Sequence, residues 1–374
     1  MTKSSYKKEH KQDEIIINEL QIRSVDRSRK DILTWRGALV SAESVYFPNR
    51  SRLYDLYEDI ILDGHLSGVI AKRIDAVLNK EVYFEREGAR VGDMQCLISS
   101  LGFRQILRTI LETQLWGISG IEFIPGEELA FDEIPRKHIK PEIGIIAYEQ
   151  TGVDGIPYAD LENIWVMGDT KDLGLLLKCA PYSLYKRGGL SDWAQYIELF
   201  GQPVRIIKYD SYDEQTKLEL KKILDESGSS LSLMIPRQAD FELKDGKQTN
   251  CDGNLQLSFI KALNDEMSIT ILGNTETTAS SASTGYAQSK VHLEQQYEIT
   301  RSDIIYTAAM LNSPKFLNIL RGYGYPVQNG HFVFAKDMDV DYLKTRVAID
   351  KEVAQMVSVG ENYWYDTYGI PGNK

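Results

Sequence analysis

Residues 252–312 constrain this chain more than any other stretch, because they read as helix, polar loop, helix, with nothing in the loop that a core could use. Leu255, Phe259, Ile260, Leu263, Met267 and Ile271 recur at helical spacing and give one apolar face. Gly273 follows the last of them, where a left-handed C-terminal cap is expected. Residues 274–285, NTETTASSASTG, hold seven Ser or Thr among twelve positions and no large apolar side chain. Such a run cannot bury a core and is expected to be mobile or to line solvent. A second helix follows, its apolar side marked by Ala287, Val291, Tyr297, Ile304, Ile305, Ala308 and Leu311. Helices of about 20 to 25 residues span roughly 30 to 38 Å at 1.5 Å per residue. Taken alone, the stretch also reads as a solvated loop in a helical hairpin, and its place in the chain has to decide.

A chain of 374 residues suffices for two or three structural units. Its net charge of −11 argues against tight gripping of nucleic acid, which rests on neutralising phosphates with Lys and Arg, and leaves brief or repulsive contact open. The first thirty residues depart from that balance, with eight Lys or Arg against five acids. A basic arm, residues 1–30, therefore precedes an acidic body, either as a loose tail or as a contact for a partner or DNA. Cys96, Cys179 and Cys251 form no CxxC pair, which offers no zinc framework and suits a reducing compartment. No signal peptide or membrane-spanning run is legible, so a soluble, intracellular product is expected.

Taken in order, the elements are those of an α+β protein without βαβ alternation. A helical pattern over 52–78 is interrupted by Gly64 and Gly68, giving one helix or two. A strand is expected at 82–85, a helix at 96–116 ended by Gly117, and a strand at 118–124. Short strands and turns run on to 167. Residues 173–184 are apolar but hold Pro181, and Gly188 and Gly189 predict a break before a new helix at 193–200, capped by Ser191 or Asp192. A small α/β insert follows: a strand at 204–209, a charged helix at 213–224 and strands at 231–235 and 241–243. It sits between two helices that could run side by side. Beyond Pro314 the chain passes RGYGYP (residues 321–326), a strand at 331–335 and helices at 342–357 and 362–368.

That order, together with five segments, resembles the phage portal proteins of the Mu-like type. The segments are LYDLYEDIILDGHLSGVIAKRIDAVL at 53–78, WGISGIEF at 116–123, LFGQPVRIIKYD at 199–210, ALNDEMSITILGNTETT at 262–278 and YGIP at 368–371. The likeness spans roughly residues 50–371. It implies a portal-type fold: an α/β wing, a two-helix stem, a small α/β clip and a long wing helix. Mapped onto this chain, the N-terminal wing is 31–183, the stem helices 184–200 and 252–272, the clip 201–251 and the tunnel loop 273–286. The long helix and C-terminal wing take 287–340, and a short crown-like helical segment 341–374. The chain stops soon after YGIP, where many relatives continue, so a longer crown is not expected. The resemblance also implies a twelve-subunit ring at one capsid vertex of the virion, assembled in the host cytoplasm, through which double-stranded DNA enters and leaves. Its implied partners are a packaging motor (the terminase large subunit), the major capsid or scaffolding protein and a head-completion adaptor. No membrane and no cofactor is implied.

A channel for sliding DNA works by geometry, and its lining should be polar and weakly interacting. Thr275, Thr277, Thr278, Ser280, Ser281, Ser283 and Thr284 are therefore the expected channel-facing positions. On the clip helix, Asp213, Glu214, Glu219, Asp225 and Glu226 are candidate docking charges for motor or adaptor, or simply a solvated face. Asp337, Asp339 and Asp341 open like a calcium loop, but its sixth and twelfth positions are Tyr342 and Ala348 where Gly and Glu are needed. His65, His138, His292 and His331 form no metal-ligand pair, and no phosphate loop, nucleophile elbow or dinucleotide fingerprint occurs. Neither a metal nor a catalytic site is expected. The competing readings are another ring-forming head–tail connector and a metal-dependent DNA-modifying enzyme using the acidic triplet.

Overall fold

A computed structural model describes residues 15–23, 30–126, 129–200, 205–209, 232–236, 254–275, 286–335 and 340–356, with isolated positions elsewhere. Its centre is β3 (Ile118–Ile124), paired antiparallel with β4 (Ala130–Glu133) on one side and β8 (Ile164–Gly168) on the other. Six of its seven residues are buried, because the helix that precedes it packs on β3 and the Ile134 and Ile139 side chains close over Gly120.

The helices before β3 start and stop where the side chains allow. α1 (Ile32–Ala42) leads to α2 (Ser51–Ile60) and α3 (Gly64–Leu78), which are separate helices. Asp63 caps α3 by accepting hydrogen bonds from the backbone N–H groups of His65 (2.9 Å) and Leu66 (3.0 Å). Gly64 opens that helix and Gly68 lies inside it, so only the first of the two glycines marks a boundary. The helix expected over 96–116 is broken: a short α4 (Gln95–Ile98) ends, and Ser100 caps α5 (Leu101–Trp116) by accepting from Phe103 N at 3.1 Å. Apolar spacing ran straight across the serine pair and hid that break. α5 does end on Gly117, in the left-handed region at φ 84°, where a Cβ would lie 2.4 Å from the Asp172 carbonyl oxygen.

β1 (Val82–Arg86) pairs with the hairpin strand β2 (Ala89–Arg90) and with β11 (Gly330–Phe334), which returns from the far end of the sequence. Phe332 on β11 packs edge-on to Phe84 (5.0 Å) and stacks on Phe103 (5.5 Å). Between β3 and β8 a second small sheet forms from β5 (Ile139–Lys140), β6 (Ile145–Ala147) and β7 (Gly155–Pro157).

The arm expected to hang loose over residues 1–30 is tied down in part. Ile16 and Leu20 are buried, and the backbone N–H groups of Ile16 and Ile17 donate to the fully buried carboxylate of Glu122 on β3, at 2.7 and 2.9 Å. Residues 1–14 and 24–29 lie outside the described set.

The break expected at Gly188–Gly189 does not occur: α6 runs unbroken from Leu176 to Phe200, through Pro181. Proline removes the N–H that would bond the carbonyl four residues back, here that of Leu177. The indole Nε1–H of Trp35, on α1, donates to that same carbonyl at 3.3 Å. A Trp35→Phe change keeps an aromatic ring but strips this donor and part of the indole's packing, and a loss of at least about 1 kcal/mol in unfolding free energy is expected by denaturant titration. Gly189 lies against a side chain of the next long helix, whereas a Cβ on Gly188 would meet nothing within 4 Å.

Candidate functional site

α6 packs along α7 (Asn254–Leu272), and the stretch between them holds β9 (Arg205–Tyr209) and β10 (Ser232–Pro236), a parallel pair. At the crossing the ring of Phe259 on α7 packs on the Gly189 position of α6, where a Cβ would stand 3.4 Å from it, at van der Waals contact. Two strands of the expected insert are thus present. Of the charged helix only Gln215, Leu218 and Lys222 are described, all helical and exposed. Asp213, Glu214, Glu219, Asp225 and Glu226, and the third strand at 241–243, lie outside the described residues.

The helix pair is fastened to the α2–α3 hairpin by polar groups of which sequence reasoning named only His65, as one of the scattered histidines. Lys186 on α6 pairs with Asp63 at 2.9 Å, the same carboxylate that caps α3, and Arg187 pairs with Asp59 at 2.7 Å. From α7, the Asn264 carbonyl and the Ser268 hydroxyl stand 3.0 and 2.8 Å from Nε2 of His65. Burial, then the neighbouring Lys186, hold the His65 imidazole below its usual range, against the Asn264 carbonyl and the acids Asp63 and Asp265. His138 is fully buried, with Nδ1 2.8 Å from the Ala147 carbonyl oxygen, and burial lowers it as well. Because the folded chain prefers both rings neutral, their contribution is complete above the unfolded value of about 6.5 and is lost as pH falls below it, toward the lower folded pKa values. A thermal midpoint that is flat from about pH 8 to 7 and drops between about pH 6.5 and 5 is the expected result. His65→Gln should remove part of that drop; an unchanged profile would reject the assignment.

α7 closes on Gly273 in the left-handed region at φ 75°. A Cβ there would stand 2.7 Å from Cδ1 of Ile299 on α8 (Tyr286–Leu311), so the end of α7 abuts the middle of α8. Arg73 on α3 ties this junction. Its guanidinium grips the Asp303 carboxylate through two bonds of 2.8 Å, donates to the Ile271 carbonyl at 2.9 Å and to Gln114 Oε1 at 3.1 Å. One side chain thus joins the last turn of α7, the middle of α8 and α5.

The apolar side expected for α8 is buried only in part: Leu311 is in the core and Ile304 and Ala308 pack half-buried against it, but polar side chains complete the inward face. Thr300, Asp303, Thr307 and Leu311 face inward, whereas Tyr297 and Ile305 are exposed. The two threonine hydroxyls donate to carbonyls one turn back, at 2.9 Å (Gln296) and 2.7 Å (Asp303), and Asp303 has Arg73. A satisfied polar stripe can be buried in this way, and a hydrophobicity count cannot detect it. The available signal was Arg73 itself, set among Val69, Ile70, Ile74 and Val77 on an otherwise apolar helix.

Of the expected channel positions, Thr275 is described and half-buried beside the buried Asn274. Thr277, Thr278, Ser280, Ser281, Ser283 and Thr284 lie outside the described residues, as do Asp337 and Asp339. Beyond Leu311 the chain does not merely turn at Pro314. It forms α9 (Pro314–Gly322), with Pro at its first position and Ser313 accepting from Phe316 N at 3.4 Å, a start signal present in the sequence. Among the described residues no three His, Cys, Asp or Glu converge as metal ligands. Cys179 is buried, its thiol pushed up to about 12 by that burial. No described helix is long and apolar enough to cross a membrane.

With this geometry in place, comparison with known proteins finds one family profile, described as portal protein of Mu bacteriophage, which matches residues 54–370. Among solved structures, a chain from the neck of an empty GTA particle computed with C6 symmetry superposes with a TM-score of 0.53 at 11% identity, over 85% of this chain and 94% of that one. An HK97 family phage portal protein from Corynebacterium diphtheriae aligns at 10% identity with a TM-score of 0.43, over 74% of this chain and 94% of that one. No curated protein matches the sequence.

Proposed function

Starting from the premise that this chain belongs to the family of Mu bacteriophage portal proteins, whose members are structural proteins that assemble into rings, we propose how its parts divide that work. Copies close head to tail into a ring at one capsid vertex, and the ring is the passage for double-stranded DNA during packaging, retention and ejection. The single observation that carries this reading is the α6–α7 pair with the β9–β10 insert between its two helices, followed at once by the Ser/Thr-rich loop and the long α8. That succession supports residues 184–200 and 252–272 as stem, 201–251 as clip and 273–286 as tunnel loop.

Side chains on the helix pair support the same reading. Leu190 and Ile197 on α6, and Leu255, Leu257 and Phe259 on α7, are substantially exposed. Apolar groups left open along a long helical pair are the composition of a contact between copies. The clip acids Asp213, Glu214, Glu219, Asp225 and Glu226 are proposed to dock the terminase large subunit and a head-completion adaptor, and the wing to meet the capsid or scaffolding protein. The acidic body suits DNA that must pass without being held.

Imaging the purified protein by negative stain, with its mass measured in parallel, tests the reading. Annular particles with an open centre are expected. Particles that remain single-subunit at every concentration, and absence from purified virions, would end it.

A further inference from the structure

A knob and a hole sit at opposite ends of this chain's central strand, and no described residue of the chain fills the hole or covers the knob. The knob is the turn after α1. Its backbone is held in place: Asn49 N donates to the Ser41 carbonyl at 2.9 Å, the Ser41 hydroxyl donates to the Asn49 carbonyl at 3.1 Å, and Phe47 N donates to the Ser44 hydroxyl at 3.3 Å. Yet this ordered turn presents Val45 at 89%, Tyr46 at 86% and Phe47 at 78% exposure, with the acid Glu43 exposed beside them. Three consecutive apolar side chains on a fixed tip are costly to leave in water and are the composition of a binding anchor.

The hole is an open cavity of about 710 Å³ where β3 ends and α9 runs past it. Phe123, Ile319 and Tyr323 supply its apolar lining, and Lys315 and Arg321 bring positive charge against Glu162, the one lining acid among the described residues. Cations set among aromatic and aliphatic side chains suit an incoming aromatic face, and they complement Glu43. The tip and the hole cannot meet within one copy as folded. Arg50, three residues beyond the tip, is bound to the carbonyls of Thr170 and Asp172, and Asp172 lies against Gly117 at the start of β3. The cavity surrounds Phe123 and Pro125 at the other end, about 20 Å away at 3.3–3.4 Å per strand residue.

We infer that the Val45–Tyr46–Phe47 tip of one copy seats in the Phe123–Ile319–Tyr323 cavity of the next. Two unlike patches that satisfy each other only between copies make a heterologous contact, which propagates head to tail and closes into a ring when the rotation allows. The inference rests on the ring reading above and assigns that ring a wing-level contact separate from the stem.

Two measurements test it. The Tyr46→Ser/Phe47→Ser variant alters exposed side chains only, so its circular dichroism and melting should match the unaltered chain. The concentration for half-assembly, followed by mass photometry, should rise about thirtyfold or more, as for loss of an interface anchor. Separately, in a Cys96→Ser/Cys251→Ser background, Tyr46→Cys combined with Asn318→Cys (Asn318 lines the cavity) is treated with a short bismaleimide. A ladder of covalent multimers is expected from the pair and from neither single variant. Rings of normal mass that give no ladder, and that form equally well from the double serine variant, overturn the contact while leaving the ring reading intact. An unaltered chain that never assembles overturns both.

Discussion

Arg73→Ala is expected to lower the unfolding free energy by about 3–5 kcal/mol. The figure follows from what the substitution leaves behind. The Asp303 side chain is 2% exposed and would keep its charge with no counter-ion, and the Ile271 carbonyl and Gln114 would each lose a donor. Cutting one partner from a buried pair costs far more than the pair itself contributes, because the remaining ion has already left water. A joint Arg73→Met/Asp303→Leu change should therefore recover much of the loss. The exposed Arg90–Glu81 pair, with both side chains near 60% accessible, is the contrast, and its removal should scarcely register. Denaturant titration of all three variants gives the comparison. A loss below about 1 kcal/mol for Arg73→Ala would show that Asp303 reaches solvent or sheds its charge.

Sequence pattern disclosed the elements whose signals are local. β1, β3, β11, α7 and α10 (Val340–Met356) were legible from apolar spacing, and the end of α5 from Gly117. What it missed was decided across the fold. Pro181 and the Gly188–Gly189 pair look like breaks to any reading that sees one helix at a time. The indole of Trp35 bonds the carbonyl that the proline leaves free, and the ring of Phe259 packs on Gly189, both from positions distant in sequence. The polar part of the inward face of α8 was missed for the same reason, since Asp303 can face inward only because Arg73 waits more than two hundred residues away. The succession of helix, insert and helix needed no such knowledge, which is why the order of elements was readable while the ties holding them were not.

Converting Thr277, Thr278, Ser280 and Ser281 to lysine is expected to leave ring assembly unchanged and to cut packaged or retained DNA severely, with partial recovery as salt is raised. Every lysine that meets a phosphate adds about one released counter-ion to DNA binding, a slope near 0.9 in log affinity against log salt per contact. Four such side chains, repeated in every copy around a ring, would turn a passage into a brake. This test separates chemistry from reach better than removing 278–284, which should also leave rings assembled and impair packaging, but for two reasons at once. Gly273 lies against Ile299, and α8 begins at Tyr286, thirteen residues or about 20 Å earlier along its axis. The loop must cover that interval, and the residues left by the deletion extend to only about 20 Å themselves. A shortened loop could therefore unwind the first turn of α8, whereas the lysine variant keeps the tether and changes only its charge. Asparagine at the same four positions, polar but neutral, should package as the unaltered chain does. Lysine loops that package equally well, at low salt and high, would remove this loop from the channel wall.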